Sequence, residues 1–121
     1  MTNIFLIGVE QTIAAEIDRA VSAEWNRVHK EPHDAGLRNL TDAEIIFAGG
    51  EPAQYLPLLR RVREARPTLP FVVVTGSAET EAWLDALEAG ATDYCCAPFE
   101  LRQIQWLMES ALPKPRAAAS G

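Results

Sequence analysis

The chain has 121 residues, 48% of them hydrophobic and 23% charged, enough to bury one core and too few for two. Its formal net charge of −6 repels phosphate backbones and anionic lipid, so unaided binding to nucleic acid or to a membrane surface is not expected. The two cysteines, Cys95 and Cys96, are adjacent, which excludes a disulfide framework and the spaced pairs of a zinc site.

The first apolar run, Ile4-Phe5-Leu6-Ile7, has neither the basic start nor the length of an export signal, and with the cysteine usage it predicts a cytoplasmic domain. It reads instead as a strand buried on both faces. Ile13, Ile17, Ala20 and Val21 then recur at helical spacing. Arg27-Val28-His29 is expected to form a short strand near a sheet edge, and Ile45-Ile46-Phe47-Ala48 a second fully buried one. Leu58, Leu59 and Val62 mark the next helix, after which Pro67 and Pro70 punctuate the entry to the strand Phe71-Val72-Val73-Val74. Thr80 to Ala89 reads as a helix closed by Gly90, and Tyr94-Cys95-Cys96 as a last, weaker strand. Leu101, Ile104, Leu107, Met108, Ala111 and Leu112 form the stripe of the final helix. Residues 1–112 therefore form one domain, and the proline- and alanine-rich segment 113–121 is expected to be a disordered tail or the start of a linker.

Strand and helix alternate, so the expected class is α/β: a three-layer αβα sandwich, βα repeated five times, on a parallel flavodoxin-like sheet of order 2-1-3-4-5. Such sheets place their site outside the carboxyl ends of the strands, where the winding reverses. That edge should gather Gly8-Val9-Glu10, Ala48-Gly49-Gly50, Thr75-Gly76-Ser77 and Ala97-Pro98.

The segment "LPFVVVTGSAETEAWLDALEAGATDYCCAPFELRQIQWLMESAL" resembles the second half of a response-regulator receiver domain, the CheY-like family of two-component phosphorelay signalling in bacteria. Thr75 at a strand end, Gly90-Ala91, Asp93-Tyr94 and Pro98-Phe99 carry the likeness, and "LPLLRRVR", Leu56 to Arg63, resembles the family's third helix. With a weaker first half, the likeness covers roughly residues 3 to 112. The resemblance implies phosphorylation of an aspartate ending the third strand, with Mg²⁺ held by that aspartate and an acidic pair after the first strand, and a lysine that pairs with the phosphoryl group.

In this chain the acidic pair falls on Gly8 and Val9, leaving Glu10 as the nearest carboxylate, and the lysine position is Ala97. Alignment without a gap from the third helix puts the acceptor at Phe47, whereas alignment on the apolar run, with Glu44 as its leading acid, puts it at Gly49. Neither has the carboxylate that an aspartyl phosphate or a hard cation requires. The expectation is a degenerate receiver without phosphotransfer, bound metal or cofactor, and not an enzyme. An unusual acidic pocket built from Glu10, Glu44 or Glu51 is the first alternative, and a small-molecule site in the emptied switch point the second.

Thr75 and Tyr94 match the family's switch pair, a hydroxyl and an aromatic ring that move together. The plainer alternative is a hydroxyl satisfying a strand end and a tyrosine filling a half-buried slot. The fourth helix, fifth strand and fifth helix form the face that receivers use for partners. Trp83, Tyr94, Arg102 and Trp106 are its candidate contacts here, with Trp83 otherwise core, Trp106 otherwise flat on its helix, and Trp25 core or rim. The implied partners are another protein, an attached output domain or a second copy of the chain. His29 and His33 lie across a strand and Pro32 rather than on one helix face, so they are not expected to hold a metal. Cys95 and Cys96 read as core residues, and "FAGGEPA" lacks the Gly-Lys-Ser/Thr of a phosphate loop. The sequence contains no pattern of a catalytic triad.

Overall fold

Strands that are apolar at consecutive positions are stable only where a sheet is covered on both faces. The structure, a computed structural model describing residues 2–21, 26–34, 40–76, 79–97 and 100–111, has that arrangement. In chain order its elements are β1 (Thr2–Ile7), α1 (Gln11–Val21), β2 (Asn26–Glu31), β3 (Ile45–Ala48), α2 (Pro52–Ala65), β4 (Phe71–Thr75), α3 (Thr80–Glu88), β5 (Asp93–Cys96) and α4 (Leu101–Ala111). The five strands form one parallel sheet in the order β2-β1-β3-β4-β5, as the sequence predicts.

Alternation along each strand divides the core in two. Ile4, Leu6, Ile45, Phe47, Val72, Val74 and Cys95 point to the layer formed by α1 and α4, where they meet Ile13, Ile17, Ile104 and Leu107. Phe5, Ile7, Ile46, Ala48, Phe71 and Val73 point the other way, onto Leu58, Leu59 and Val62 of α2 and Ala86 of α3. Each large apolar side chain so enclosed contributes about 1.5–3 kcal/mol relative to an exposed position. Met108 packs on the rim of the first cluster rather than inside it.

β2 is a full six-residue strand, twice the length its sequence implies. It pairs only with β1, so none of its residues is fully buried: Arg27 and Lys30 are exposed and the other four are half-buried. His29 stacks on Phe5, its cross-strand neighbour, at 4.5 Å between ring centroids, and its Nε2 lies 3.2 Å from Asn3 Oδ1.

The βα unit repeats four times rather than five among the described residues, because no helix is described between β2 and β3. Residues 32–44 carry Pro32 and Gly36 and no apolar stripe, and the described parts include turns at His33-Asp34 and Thr41-Asp42. This connection is held from the C-cap of α2 instead: Arg66 Nη1 donates to the carbonyls of Leu40 (3.1 Å), Thr41 (3.2 Å) and Ala43 (2.6 Å). One turn earlier, Arg63 donates to Leu69 O (2.6 Å) and Gly90 O (2.8 Å), tying together the approaches to β4 and β5. Trp25, Ser77, Pro98, Phe99, Leu112 and the segment 113–121 lie outside the described residues.

Candidate functional site

The helix after β1 covers one face of the sheet and the helix after β3 covers the other, so the winding reverses between these two strands. A crevice opens there at the carboxyl edge. Gly8 leaves β1 with φ +61° and donates its N–H to Glu31 O at 2.9 Å. Gly49 follows β3 and donates to Ile7 O at 3.0 Å. A Cβ at position 49 would lie 3.0 Å from Val9 Cα, 3.1 Å from Gly8 O and 3.4 Å from Val74 O. That places residue 49 in the middle of the rim, between the ends of β1 and β4.

Phe47 is elsewhere. It lies across from Leu6 and Val72, fully buried at 0% exposure, and faces the α1 and α4 layer. The two alignments left open by the sequence thus differ physically, with Gly49 at the crevice and Phe47 in the core. Val9 and Ala97 also pack against the α1 and α4 cluster. Ala97 N–H donates to Thr75 O at 2.8 Å, which brings the ends of β4 and β5 together as expected.

The three glutamates do not converge on the crevice. Glu10 is exposed at the start of α1, where its carbonyl accepts the Ala14 N–H at 2.8 Å. Glu44 sits at the opposite end of β3, where its Oε1 accepts the Asn3 N–H at 3.1 Å and its N–H donates to Asn3 O at 2.9 Å. Glu51 stands exposed before α2, its N–H held by Gln54 Oε1 at 2.9 Å. Among the described residues no group of three or more His, Cys, Asp or Glu is arranged to hold a metal ion.

The side chain that does reach the crevice was not among the expected site residues. His33 leaves the turn after β2 and lays its ring across Gly8, Gly49 and Gly50. Its Nε2 is 2.6 Å from Gly49 O, and because a carbonyl only accepts, Nε2 carries the proton. A Cβ on Gly8 would overlap the ring, and one on Gly50, where φ is +92°, would come within 2.7 Å of His33 Cε1. Three rim glycines signal that something bulky must approach the backbone closely, but the sequence does not say what.

Thr75 and Tyr94 lie on neighbouring strands, both half-buried, and strand parity directs both to the α2 and α3 side. Beneath Tyr94, Tyr55 is buried in the same layer, and its phenol is pushed up to about 12, first by burial and then by Tyr94, Asp85, Glu79 and Glu51. Burial, reinforced by Asp93, pushes the Cys95 thiol up to about 11, against a partial offset from a Gln103 hydrogen bond. Neither group ionises near neutrality.

An open groove of about 420 Å³ runs along the β5 edge, lined by Glu79, Thr80, Trp83, Asp93, Tyr94 and Cys96. Trp83 is 44% exposed there, so it is a surface residue and not core. Trp106, on α4 at the other side of the same edge strand, is 61% exposed, and Arg102 one turn earlier is also open to solvent. The face expected from the fourth helix, fifth strand and fifth helix corresponds to α3, β5 and α4.

No family model matches the chain. It is 35% identical over 115 residues to the DNA-binding transcriptional regulator NtrC of Proteus hauseri, covering 91% of this chain and 24% of that protein. It is 28% identical over 109 residues to the response regulator ArlR of Staphylococcus haemolyticus, covering 86% of this chain and 49% of that protein. The chain thus spans at most about half the length of these relatives. A response regulator receiver domain protein of Clostridium thermocellum superposes with a TM-score of 0.77 at 19% identity, covering 92% of this chain and 94% of that one.

Sheet order, helix placement and these likenesses along nearly the whole chain support one class, the response-regulator receiver domain of two-component systems. In fold it is CheY-like, with its switch-point crevice lined by glycine backbone and a histidine ring.

Proposed function

We propose that this receiver domain does not carry an aspartyl phosphate and that it acts by docking a preset face onto a protein partner. The single observation that carries the first half is the composition of the rim. Gly49 occupies its centre, Gly8 and Val9 stand where the acidic pair is expected, and Ala97 stands where the lysine is expected, with Val9 and Ala97 turned into apolar packing. Phosphoryl transfer to a side chain needs a nucleophile, charge neutralisation and a cation within one pocket. A hard cation needs several oxygen ligands, and among the described residues no group of three or more His, Cys, Asp or Glu is arranged to hold one, which does not favour Mg²⁺. The domain therefore works without a cofactor and without catalysis of its own.

The docking face is the α3, β5 and α4 edge, where Trp83 and Trp106 offer rigid aromatic area and Arg102 a planar cation. Both curated relatives extend well beyond the aligned part, so an attached output region, acting with this domain in the cytoplasm, is the occupant this reading favours. Thr75 and Tyr94 then hold a constant surface instead of switching it.

Incubation with acetyl phosphate and Mg²⁺, followed by intact mass and ³¹P NMR, tests the reading. The expected result is no acyl phosphate. A stoichiometric, hydroxylamine-sensitive adduct would restore the working-receiver alternative.

A further inference from the structure

We infer that the partner segment received by the α3 and β5 edge is basic and amphipathic, with apolar side chains that cover the outer stripe of α3 and an arginine or lysine that enters the groove beside Trp83. The inference rests on the docking face proposed above and names the chemistry of its occupant. α3 buries its small apolar residues and exposes its large ones. Ala82 and Ala86 are covered, whereas Trp83, Leu84 and Leu87 are 44%, 47% and 36% exposed. At about 100° per residue the three fall within one arc of about 100° on the helix. Trp83 joins that arc to the groove of about 420 Å³, which it lines with Tyr94 and Cys96 of β5. Single exposed leucines are ordinary, but a contiguous apolar stripe beside a groove marks a surface that is covered in use.

Charge selects the occupant. From residue 79 to residue 96 the chain carries Glu79, Glu81, Asp85, Glu88 and Asp93, and no Lys, Arg or His. Glu79 and Asp93 line the groove itself. The Glu79 side chain makes no capping bond to α3, and one Asp93 oxygen accepts the Tyr94 N–H at 2.7 Å. Arg63, which reaches Gly90 from α2, donates to carbonyls there and at Leu69 and does not line the groove. A guanidinium or ammonium placed on the Trp83 and Tyr94 rings between these carboxylates gains cation–π attraction and charge-assisted hydrogen bonds together. A second copy of the chain meets the opposite situation, since a twofold contact centred here sets the same carboxylates against one another.

The test uses the full chain and a synthetic helical peptide of about 15 residues, with leucine at i, i+3, i+4 and i+7 and arginine on the flanks, alongside a copy with glutamate for arginine. In ¹H–¹⁵N spectra the arginine peptide should shift the amides of Trp83, Leu84, Leu87 and Tyr94 saturably, and the glutamate copy should not. Trp83→Ala should weaken binding by about tenfold. Glu79→Gln combined with Asp93→Asn should weaken it by about fivefold, whereas Glu16→Gln combined with Glu64→Gln, which removes equal charge elsewhere, should change it by less than about twofold. Should Trp83→Ala fail to fold, Leu84→Ser takes its place. Equal binding of the two peptides, equal effects of the two acid pairs, shifts centred on another face, or no binding of the arginine peptide would each overturn the inference. Concentration-dependent shifts of the same amides without peptide would assign the face to a second copy and overturn it too. The docking reading fails separately: if Trp83→Ala weakens contact with the proposed output region while the two peptides bind alike, the face stands and its basic occupant falls, and if Trp83→Ala changes neither, both fall.

Discussion

Alternation along β5 sends the Cys95 side chain into the α1 and α4 cluster and leaves Cys96 on the groove, where its Sγ lies 3.3 Å from Ala97 O. Under native conditions Cys96 is expected to react with a disulfide reagent, and Cys95 only on unfolding, which thiol titration with mass mapping checks. The raised Cys95 value also has a stability consequence whose sign follows from linkage. Below pH 9.0 both folded and unfolded chains hold the proton, and the stabilisation is complete. As pH climbs from 9.0 to about 11 the unfolded chain loses the proton first, so the folded state loses ground. Tyr55 acts in the same direction between 10.0 and about 12. Urea midpoints should fall between pH 8.5 and 10.5, and Cys95→Ala should flatten the lower part of that fall while reducing stability at neutral pH by leaving a small cavity.

At the scale of elements, the two edges of the sheet have different duties. The carboxyl edge holds the glycines and His33, whereas the amino edge is tied by Arg63 of α2 and by Arg66 at its C-cap. Arg66 satisfies three carbonyls of the connection before β3, and without it those groups lose a charged donor. Arg66→Ala should lower the unfolding free energy by about 1.5–3 kcal/mol, whereas exposed Arg60→Ala should stay within about 0.5 kcal/mol. Chemical denaturation of both variants checks the contrast. An equal effect would mean that the carbonyls are satisfied by other means. Arg63 works similarly on Leu69 and Gly90, and burial lowers its guanidinium from the usual value without threatening its charge at neutral pH.

At the scale of the whole molecule, the β5 edge is flanked by a helix on each face, and both helices present tryptophan to solvent. Trp83→Ala and Trp106→Ala should leave unfolding free energy within about 0.5 kcal/mol, since neither side chain is core. In a chain extended by the proposed output region, the same changes should weaken interdomain contact by about tenfold or more, read by limited proteolysis or by binding of the separated parts. Loss of folding stability without loss of contact would place these rings in structural roles.

β1, β3 and β4 were legible because strands covered on both faces must be apolar at every position, and α1 and α2 because a helix lying on a sheet repeats its apolar residues at 3.6-residue spacing. β2 was legible only in part, since an edge strand carries polar residues such as Arg27 and Lys30 that need no partner layer. Sequence by itself also determined that positions 8, 9, 49 and 97 carry Gly, Val, Gly and Ala, none of which has a carboxylate or ammonium group. Only tertiary structure placed Phe47 in the core and Gly49 at the edge, because strand register, set by pairing with β1 and β4, determines which residue of an apolar run emerges there. It alone brought His33 onto three glycines, since no local pattern encodes where a turn residue's ring will come to rest once the strands on either side are in place.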